Sequence, residues 1–444
     1  MRRTSRDIRT ANRYGVLRQI IARSPVSRQD LAAATGLSLA TVATLVGELL
    51  ALGLLTEVGF EESAGGRPRG LVGVDAGGAT LVGVDVAETR VHVELFDLAL
   101  NVLDRADEEL RPGESAPEEV ADHIARAVRA VTGRTRDGGQ EAAAVPGSPG
   151  PPGAPERSGR GDGRPVLGAG VSVPGQVDRE GGVSVHAPRW DWHDVPLLRL
   201  LSERLPDHPL HLDNPLRACT VAELWSGAAR GHGDAVVVSL GTGVGAGLAL
   251  GGALHRGATD SAGAWGHTTL ALDGRPCHCG NRGCVETYVG APGIVRHLRD
   301  LAPGSPLFRP GDQSATLAAL ARAARDGDPV ALAVIRETAR FLGAGIADLV
   351  HLVNPEIIVV SGWVARLLGE ELLTAVREVV ARRAPARPLA GTEIVLSTIP
   401  TNPVALGAAT FALERHLSDA GAAAAAERRR GGARPAATPR APRP

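Results

Sequence analysis

Apolar side chains recur with a helical period near the start of the chain. The pattern predicts a first helix that ends before Ser24 and Pro25, since a proline at that position stops a helix. Ser27 with Asp30 three residues later resembles a capping box, so we expect a second, short helix from there to Gly36.

A third helix is predicted to begin at Ser38. Its apolar stripe stops at Gly53 and consists of Val42, Leu45, Val46, Leu49 and Leu50. The two short helices, joined by residues 35–38, have the spacing of a helix-turn-helix. Residues 54–60, a turn at 63–68 and residues 71–74 predict a β-hairpin suited to a wing.

The third helix and the hairpin are candidates for contacting double-stranded DNA. Residues 1–30 contain eight arginines and two aspartates, a local basic excess that attracts phosphate. The predicted DNA-binding residues are Ser38, Leu39, Thr41, Thr44, Arg67 and Arg69. A small helical bundle that binds protein is the alternative.

The mode of base recognition stays open, because the helix has no Arg, Asn or Gln at its exposed positions. Threonine hydroxyls are one possibility, and contacts of alanine or threonine methyl groups with thymine are another. Insertion of Arg67 and Arg69 into a minor groove would make the readout depend on DNA shape.

From about residue 80 the pattern changes to alternating strands and helices, which predicts an α/β domain over residues 80–417. Residues 134–165 are of low complexity and cannot bury a core, so we interpret them as a disordered insertion in this domain. Residues 418–444 are rich in Ala, Pro and Arg and are predicted to be a disordered tail. The N-terminal DNA-binding domain spans residues 1–75.

Composition limits the class of protein. A chain of 444 residues has room for two or three domains, and its net charge of −1 produces no global attraction to nucleic acid. It has no hydrophobic signal segment after the start and no apolar run of about 18 residues, the length that a membrane helix needs. We therefore expect a soluble cytoplasmic protein without a membrane partner.

Three of the four cysteines lie in the segment C-H-C-G-N-R-G-C at 277–284. Glycines at its turns let three thiolates converge on one ion, and Zn²⁺ takes four such ligands in a tetrahedron. His267, ten residues upstream of Cys277, is a candidate for the fourth ligand. An accidental cluster or a redox pair is the alternative, but three thiols cannot all pair with one another. The pattern therefore favours structural zinc.

Several further motifs occur in order along the chain. They are G-G-R-P at 65–68, V-P-G-Q-V at 173–177, W-H-D-V-P-L at 192–197, L-G-T-G-V-G-A-G at 240–247, G-H at 266–267, the cysteine cluster followed by Glu286, and N-P-E-I-I-V at 354–359. This set resembles the ROK family (repressor, open reading frame, kinase), and within it the winged-helix sugar-responsive repressors such as the N-acetylglucosamine and xylose repressors.

The resemblance implies a particular architecture. An N-terminal winged helix-turn-helix is followed by a two-lobed α/β actin-like ATPase domain, which is ribonuclease H-like and carries a zinc-binding loop. The implied zinc ligands are His267, Cys277, Cys279 and Cys284.

Two departures from the family pattern argue against a kinase. Phosphoryl transfer needs a carboxylate that accepts the hydroxyl proton, and the position of the family's catalytic aspartate is Pro215 here. The family's first phosphate loop aligns with residues 85–89, where Ala87 and the anionic Glu88 replace glycines that let backbone N–H groups approach phosphate. We therefore expect no enzymatic activity.

The family's sugar site is also altered. A glutamate that binds sugar hydroxyls in the family is Ala264 here, and the resemblance leaves Asn214, His267 and Glu286 as predicted effector-binding residues. Losing two carboxylates predicts that an ordinary hexose is not the effector. A different carbohydrate, a sugar phosphate drawn by Arg217 or Arg189, and no ligand at all remain as alternatives.

Together these observations predict a DNA-binding transcriptional regulator, a repressor of carbohydrate metabolism genes, whose kinase-like domain binds an effector and mediates oligomerisation. We expect a homodimer or homotetramer on a two-fold operator, since symmetric half-sites match a symmetric dimer. One alternative is an ATP-dependent sugar kinase of the ROK glucokinase type with an appended DNA-binding domain. A scaffold that oligomerises through its zinc lobe is another.

Overall fold

A computed structural model of the chain describes residues 5–61, 68–111, 113–133 and 164–431, and it describes side chains from residue 8 to residue 420 of these ranges. The chain divides into two compact units. The first combines Met1–Ala79 with Ala412–Pro444, and the second is Thr80–Phe411.

The N-terminal part of the first unit has three helices and a small sheet among its described residues. The elements are α1 (Ser5–Arg23), β1 (Val26–Ser27), α2 (Arg28–Thr35), α3 (Leu39–Ala51), β2 (Leu55–Phe60) and β3 (Gly70–Val74). β3 is the central strand and runs antiparallel to both β1 and β2. Both strands of the predicted hairpin are present, whereas its turn at 63–68 lies outside the described residues except for Pro68.

Serine side chains begin α2 and α3, as the sequence predicts. Ser27 Oγ accepts the backbone N–H of Asp30 at 3.2 Å, and Ser38 Oγ accepts that of Thr41 at 3.1 Å. Gly36 ends α2 in the left-handed conformation with φ of 68°, which glycine adopts without a steric penalty. These caps explain why α2 and α3 are two short helices rather than one.

The second unit is an α/β structure. In chain order its described elements are β4 (Thr80–Ala87), β5 (Arg90–Asp97), β6 (Val102–Glu109), α4 (Pro117–Gly133), β7 (Val166–Ser172), β8 (Gln176–Asp178), β9 (Val183–Ala187), β10 (Trp192–Val195), α5 (Leu197–Arg204), β11 (Leu210–Asp213), α6 (Pro215–Ser226), β12 (Ala235–Leu240), β13 (Val244–Leu250), β14 (Ala253–His255), a 3₁₀ turn (Ala264–His267), α7 (Glu286–Val289), α8 (Ala291–Leu301), α9 (Gln313–Arg325), α10 (Pro329–Val353), β15 (Ile357–Ser361), α11 (Trp363–Arg383), α12 (Ala386–Ala390) and β16 (Glu393–Leu396). The last helix, α13 (Pro403–Gly431), begins in this unit and, from Ala412, belongs to the first unit. Strands and helices alternate, which confirms the predicted class.

Two five-stranded sheets organise this unit. The first has the strand order β11-β7-β4-β5-β6. In it β11, β7 and β4 are parallel, and β5 runs antiparallel to both of its neighbours, β4 and β6. The second has the order β14-β13-β12-β15-β16, in which β12, β15 and β16 are parallel. Each sheet contributes to its own hydrophobic core, one with α4 and α5 and the other with helices α8 to α11.

Glycines allow α13 to lie directly on the first sheet. A Cβ atom on Gly83 of β4 would stand 1.9 Å from the carbonyl oxygen of Ala405, and one on Gly170 of β7 would stand 1.8 Å from that of Ala408. Gly407 meets the backbone of Ala218 on α6 in the same way. The close packing of backbones in this region therefore depends on glycine at three positions.

The predicted boundary at residue 417 and the predicted tail are wrong in part. α13 continues without a break through residue 417 to Gly431, and residues 432–444 lie outside the described residues. Leu413 and Leu417 are buried within the first unit, and the alanine-rich sequence that follows has high helix propensity. A low-complexity composition was thus a poor guide to the first part of this segment.

The predicted insertion at 134–165 lies outside the described residues except for its last two. Pro165 already belongs to the fold, because its carbonyl oxygen accepts the backbone N–H of Thr80 at 2.9 Å. Over the described part of the chain no single helix is long and apolar enough to span a membrane, although the bent pair α2 and α3 together meets the length and composition test.

Candidate functional site

A candidate metal group lies between the 3₁₀ turn and α7. His267 ends the 3₁₀ turn, and Cys277, Cys279 and Cys284 follow in a loop that turns at Gly280 and Gly283 with φ of 89° and 73°. One donor atom from each of the four residues lies within 4.8 Å of all the others. The structure therefore brings together the four residues that the sequence predicted as metal ligands.

Two pairs of donor atoms in this group lie close together. His267 Nδ1 lies 3.6 Å from Cys277 Sγ, and Cys279 Sγ lies 3.8 Å from Cys284 Sγ. Burial and the neighbouring thiols raise the pKa of Cys284 to about 12, and burial raises the pKa of Cys277 as well. Thiolates packed this closely need a cation to balance their charge.

Arg275 holds the metal loop against α7 and α8. Its guanidinium donates to the carbonyl oxygen of Thr287 at 3.1 Å and lies 4.8 Å from the ring centre of Tyr288. The hydroxyl of Tyr288 in turn accepts the backbone N–H of Arg275 at 3.1 Å. The loop is thus positioned by contacts outside the four candidate ligands.

Glu286 lies beside the metal group, and its carboxylate is buried. Its Oε2 accepts the backbone N–H of Val244, at the start of β13, at 2.8 Å. Its Oε1 lies 3.1 Å from Nδ1 of His278. His278 was not predicted, although its place inside the cysteine motif was a signal. With His267 and Glu286 it forms a second group whose donor atoms lie within 4.8 Å of one another.

Asn214 uses its side chain within the fold. It is the N-cap of α6, where its Oδ1 accepts the backbone N–H of Leu216 at 2.9 Å and its Nδ2 donates to the carbonyl oxygen of Gly175 at 2.6 Å. Pro215 occupies the first helical position, where proline fits because its missing N–H needs no partner. Leu216 lies against Gly245, so Asn214 and Glu286 both belong to segments that meet the start of β13.

Arg217 is not available to attract a phosphate, contrary to one expectation. It is 4% exposed, and its Nε donates to Asp213 while its Nη1 donates to the carbonyl oxygen of Asp260. Arg256 Nη2 lies 2.9 Å from the other oxygen of Asp213. Burial alone would raise the pKa of Asp213, but His211 and the two arginines outweigh it and hold that pKa well below its usual range.

Arg189 is also engaged. Its guanidinium lies 2.8 Å from Glu88, which follows β4 in the turn that aligns with the family's first phosphate loop. Asp85 of β4 accepts a hydrogen bond from Asn402 Nδ2 at 2.8 Å, and burial raises the pKa of its carboxyl group. The sequence shows that this turn carries the acidic residue Glu88, but the ion pair of Glu88 with Arg189 could not be predicted from it.

Four of the predicted DNA-binding residues, Ser38, Leu39, Thr44 and Arg69, are exposed on the first unit. Leu39 is 49% exposed, and Ser38 and Thr44 are exposed as well, whereas Thr41 is half-buried. Arg69 lies 3.8 Å from Glu61 across the hairpin. Arg67 lies outside the described residues.

Several of the N-terminal arginines are structural. Arg9 and Arg13 both pair with Glu48 of α3, and Arg28 pairs with Glu57 of β2 at 3.1 Å. Arg13 is only 5% exposed. The arginine content of residues 1–30 therefore overstates the positive charge that is free to meet phosphate.

Comparisons with known proteins agree with this architecture. The sequence profile of the ROK family matches residues 160–415, more than half of the chain. The xylose repressor of Caldicellulosiruptor bescii is 27% identical over 418 residues, which cover 93% of this chain and 97% of the repressor. The glucokinase of Thermotoga maritima is 34% identical over 266 residues, which cover 57% of this chain and 81% of the kinase.

A solved structure has the same fold along nearly the whole chain. The crystal structure of a ROK family transcriptional regulator, a homologue of the E. coli MLC protein, superposes with a TM-score of 0.72 at 22% identity and covers 93% of this chain and 97% of that one. The second unit thus has the fold of an actin-like kinase domain, preceded along the chain by helices and strands of the first unit. The chain belongs to the ROK family.

Proposed function

We propose that the protein is a DNA-binding transcriptional repressor of carbohydrate metabolism genes that responds to a sugar. The observation that carries this proposal is the extent of the match to the C. bescii xylose repressor, which includes the N-terminal unit as well as the ROK domain. The T. maritima glucokinase matches only 57% of the chain, and a kinase has no need of the N-terminal unit. A repressor acts in the cytoplasm, together with the DNA that it binds.

Residues 1–75 of the first unit would act as a winged helix-turn-helix. In this proposal α3 lies in the major groove and the β2–β3 hairpin is the wing, with Ser38, Leu39, Thr41, Thr44, Arg67 and Arg69 as contacts. The ion pairs of Glu48 with Arg9 and Arg13 support this role, because they neutralise the only acidic residue of α3. A homodimer or homotetramer would then bind a two-fold operator.

The metal would be Zn²⁺ in a structural role. A tetrahedral zinc with bonds of about 2.3 Å to sulfur and about 2.05 Å to nitrogen keeps two sulfurs about 3.8 Å apart and a sulfur and a nitrogen about 3.6 Å apart. One sulfur–sulfur pair in the group, Cys279 and Cys284, is 3.8 Å apart, and one sulfur–nitrogen pair, Cys277 and His267, is 3.6 Å apart. Three thiols and one imidazole are also the donor set that zinc prefers over harder cations.

The effector would bind next to this metal, at His267 and Glu286. Asn214 would contact it with the second amide hydrogen and the second lone pair that its bonds to Gly175 and Leu216 leave unused. The buried carboxylate of Glu286 is suited to accept a hydroxyl hydrogen of a carbohydrate. A sugar phosphate has less support, because Arg217 and Arg189 already pair with Asp213 and Glu88. We therefore favour an uncharged carbohydrate that differs from an ordinary hexose.

We also propose that the domain does not catalyse phosphoryl transfer. Pro215 offers no proton acceptor, and the turn after β4 carries the Glu88–Arg189 ion pair instead of open glycine N–H groups. A coupled assay with ATP and glucose, N-acetylglucosamine or xylose should detect no turnover, and Pro215→Asp should not restore it. Turnover that Asn214→Ala abolishes would contradict this proposal.

A footprinting experiment on the DNA immediately upstream of the gene that encodes this protein tests DNA binding. The full-length protein should protect two symmetric segments, and the affinity should fall steeply with salt because arginine–phosphate contacts release counterions. Ala40→Asp on the exposed side of α3 should abolish protection, whereas Ala381→Asp on the exposed side of α11 should not. Equal protection by both variants would refute the assignment of α3.

A further inference from the structure

The exposed side of α3 carries almost only methyl and methylene groups. It is opposite the buried stripe of Val42, Leu45, Val46 and Leu49. Its members are Leu39, Ala40, Ala43, Thr44 and Gly47, all of which are exposed. A Cβ atom on Gly47 would have no neighbour within 4 Å, so nothing in the described part of the chain covers this side of the helix there.

The hydroxyl groups near this surface are used within the helix. The Thr44 hydroxyl donates to the carbonyl oxygen of Ala40 at 3.0 Å. Ser38 Oγ accepts the backbone N–H of Thr41 and is 2.8 Å from the Thr41 hydroxyl. At the centre of the surface the donor hydrogen of Thr44 is therefore committed, so Thr44 offers a partner its methyl group and an acceptor oxygen but no donor.

The charged side chains of α3 and of the described part of the hairpin are all held in ion pairs. The only charged residue of α3 is Glu48, which is held by Arg9 and Arg13 from α1. On the hairpin Arg69 pairs with Glu61, and Arg28 pairs with Glu57. Recognition of guanine or adenine in the major groove usually relies on Arg, Lys, Asn or Gln side chains, and α3 contains none of them.

We propose that α3 recognises the C5-methyl groups of thymines in the major groove. This inference rests on the proposed function, since it takes duplex DNA as the ligand of α3. Among the features of the major groove the thymine methyl is the apolar one, and alanine and threonine methyl groups are its usual partners. The operator half-site under α3 is therefore a run containing thymines, and its guanines do not contribute through N7.

The test removes single methyl groups from the DNA. In the footprinted operator each thymine is replaced in turn by deoxyuridine, which lacks only the C5-methyl. At thymines under α3 the affinity should fall about fourfold per methyl, the effect of exposing one methyl-sized group to water. Replacement of thymines outside the footprint is the matched control, and 7-deazaguanine at guanines under α3 should leave the affinity unchanged.

A double-mutant cycle links the effect to a protein side chain. Thr44→Ser removes the protein methyl and keeps the hydroxyl, so it should weaken binding to the natural operator but not to the duplex with deoxyuridine at the thymine it contacts. A footprint with full affinity for deoxyuridine at every position, or a loss only with 7-deazaguanine, would overturn the inference and leave the proposed function intact. Absence of any footprint would overturn both.

Discussion

Neutralising Glu48 should loosen the contact between α1 and α3. Its carboxylate receives Arg9 Nη2 on one oxygen and Arg13 Nη2 on the other, the latter at 2.7 Å. The Arg13 side chain is 6% exposed, and its Nη1 donates to the carbonyl oxygen of Leu417 on α13 at 2.9 Å. Glu48→Gln therefore leaves a buried guanidinium beside a neutral partner.

The cost follows from the burial of the two partners. Removing one partner of a buried ion pair costs about 3–5 kcal/mol, and the 22% exposure of Glu48 puts this case near the lower end, at about 3 kcal/mol. Arg9 is 46% exposed, so Arg9→Ala should cost less than about 1 kcal/mol. Both substitutions remove an ion pair of Glu48, but the equilibrium constant for local opening of α1 and α3 should differ between them by roughly thirtyfold.

Hydrogen exchange on the full-length protein measures this. Glu48→Gln should raise the exchange of slowly exchanging amides in α1 and α3 by about 100-fold, since 1.4 kcal/mol corresponds to a factor of ten. Glu378→Gln, at an exposed position of α11, is the matched control and should change nothing. Exchange within twofold of the wild type in the Glu48 variant would refute the reasoning.

Acidification gives an independent check of the same ion pairs. Burial would raise the pKa of Glu48, but the hydrogen bonds from Arg9 and Arg13 outweigh it and hold that pKa below its usual range. A depressed pKa in the folded state adds stability above the unfolded pKa, and that stability is lost as the pH falls through the folded pKa. The Glu48→Gln variant should lack this part of the acid sensitivity of α1 and α3.

Three further predictions concern the second unit. Cys284→Ser should reduce the metal content from about one ion per chain and lower the thermal midpoint, because binding of a structural metal contributes folding energy; an unchanged metal content would argue against the ligand set. Burial lowers the pKa of His297 to about 4. Between about pH 6.5 and 4 this imidazole is therefore protonated in the unfolded chain but not in the folded protein. Stability should therefore fall between about pH 6.5 and 4, and His297→Gln should flatten the slope measured by urea unfolding. Gly83→Ala should prevent correct packing against Ala405 and yield insoluble protein, whereas Gly15→Ala, with no atom within 4 Å of the added Cβ, should be soluble and no less stable than the wild type. Normal stability of the Gly83 variant would contradict the close approach of α13 to β4.

Features that depend on neighbouring residues could be predicted from the sequence. The caps of α2 and α3 need only a serine and a backbone N–H three residues later. The metal group is drawn from residues 267–284, and glycine turns bring its ligands together within one loop. Alternating strands and helices gave the α/β class in the same way, because their periodicity is local.

The state of each charged group could not be predicted in this way. The sequence contains eight arginines before residue 31, but only packing decides that Arg13 is buried against Glu48 and Leu417. Arg217 or Arg189 was one alternative for attracting a sugar phosphate, and both pair with carboxylates that the fold brings next to them. An ion pair between residues far apart in the sequence forms only when the fold packs their two elements together. The local sequence pattern of either element does not predict that contact.

The role of the C-terminal segment was likewise decided by tertiary structure. Its alanine-rich composition is compatible with a helix or with a disordered chain, since such a helix is marginal in isolation. Burial of Leu413 and Leu417 in the first unit, with the Tyr14 hydroxyl donating to the carbonyl oxygen of Glu414 at 2.8 Å, stabilises the helix. Local sequence determined which segments are able to form helices and the metal loop, and long-range packing decided which of them became part of the core.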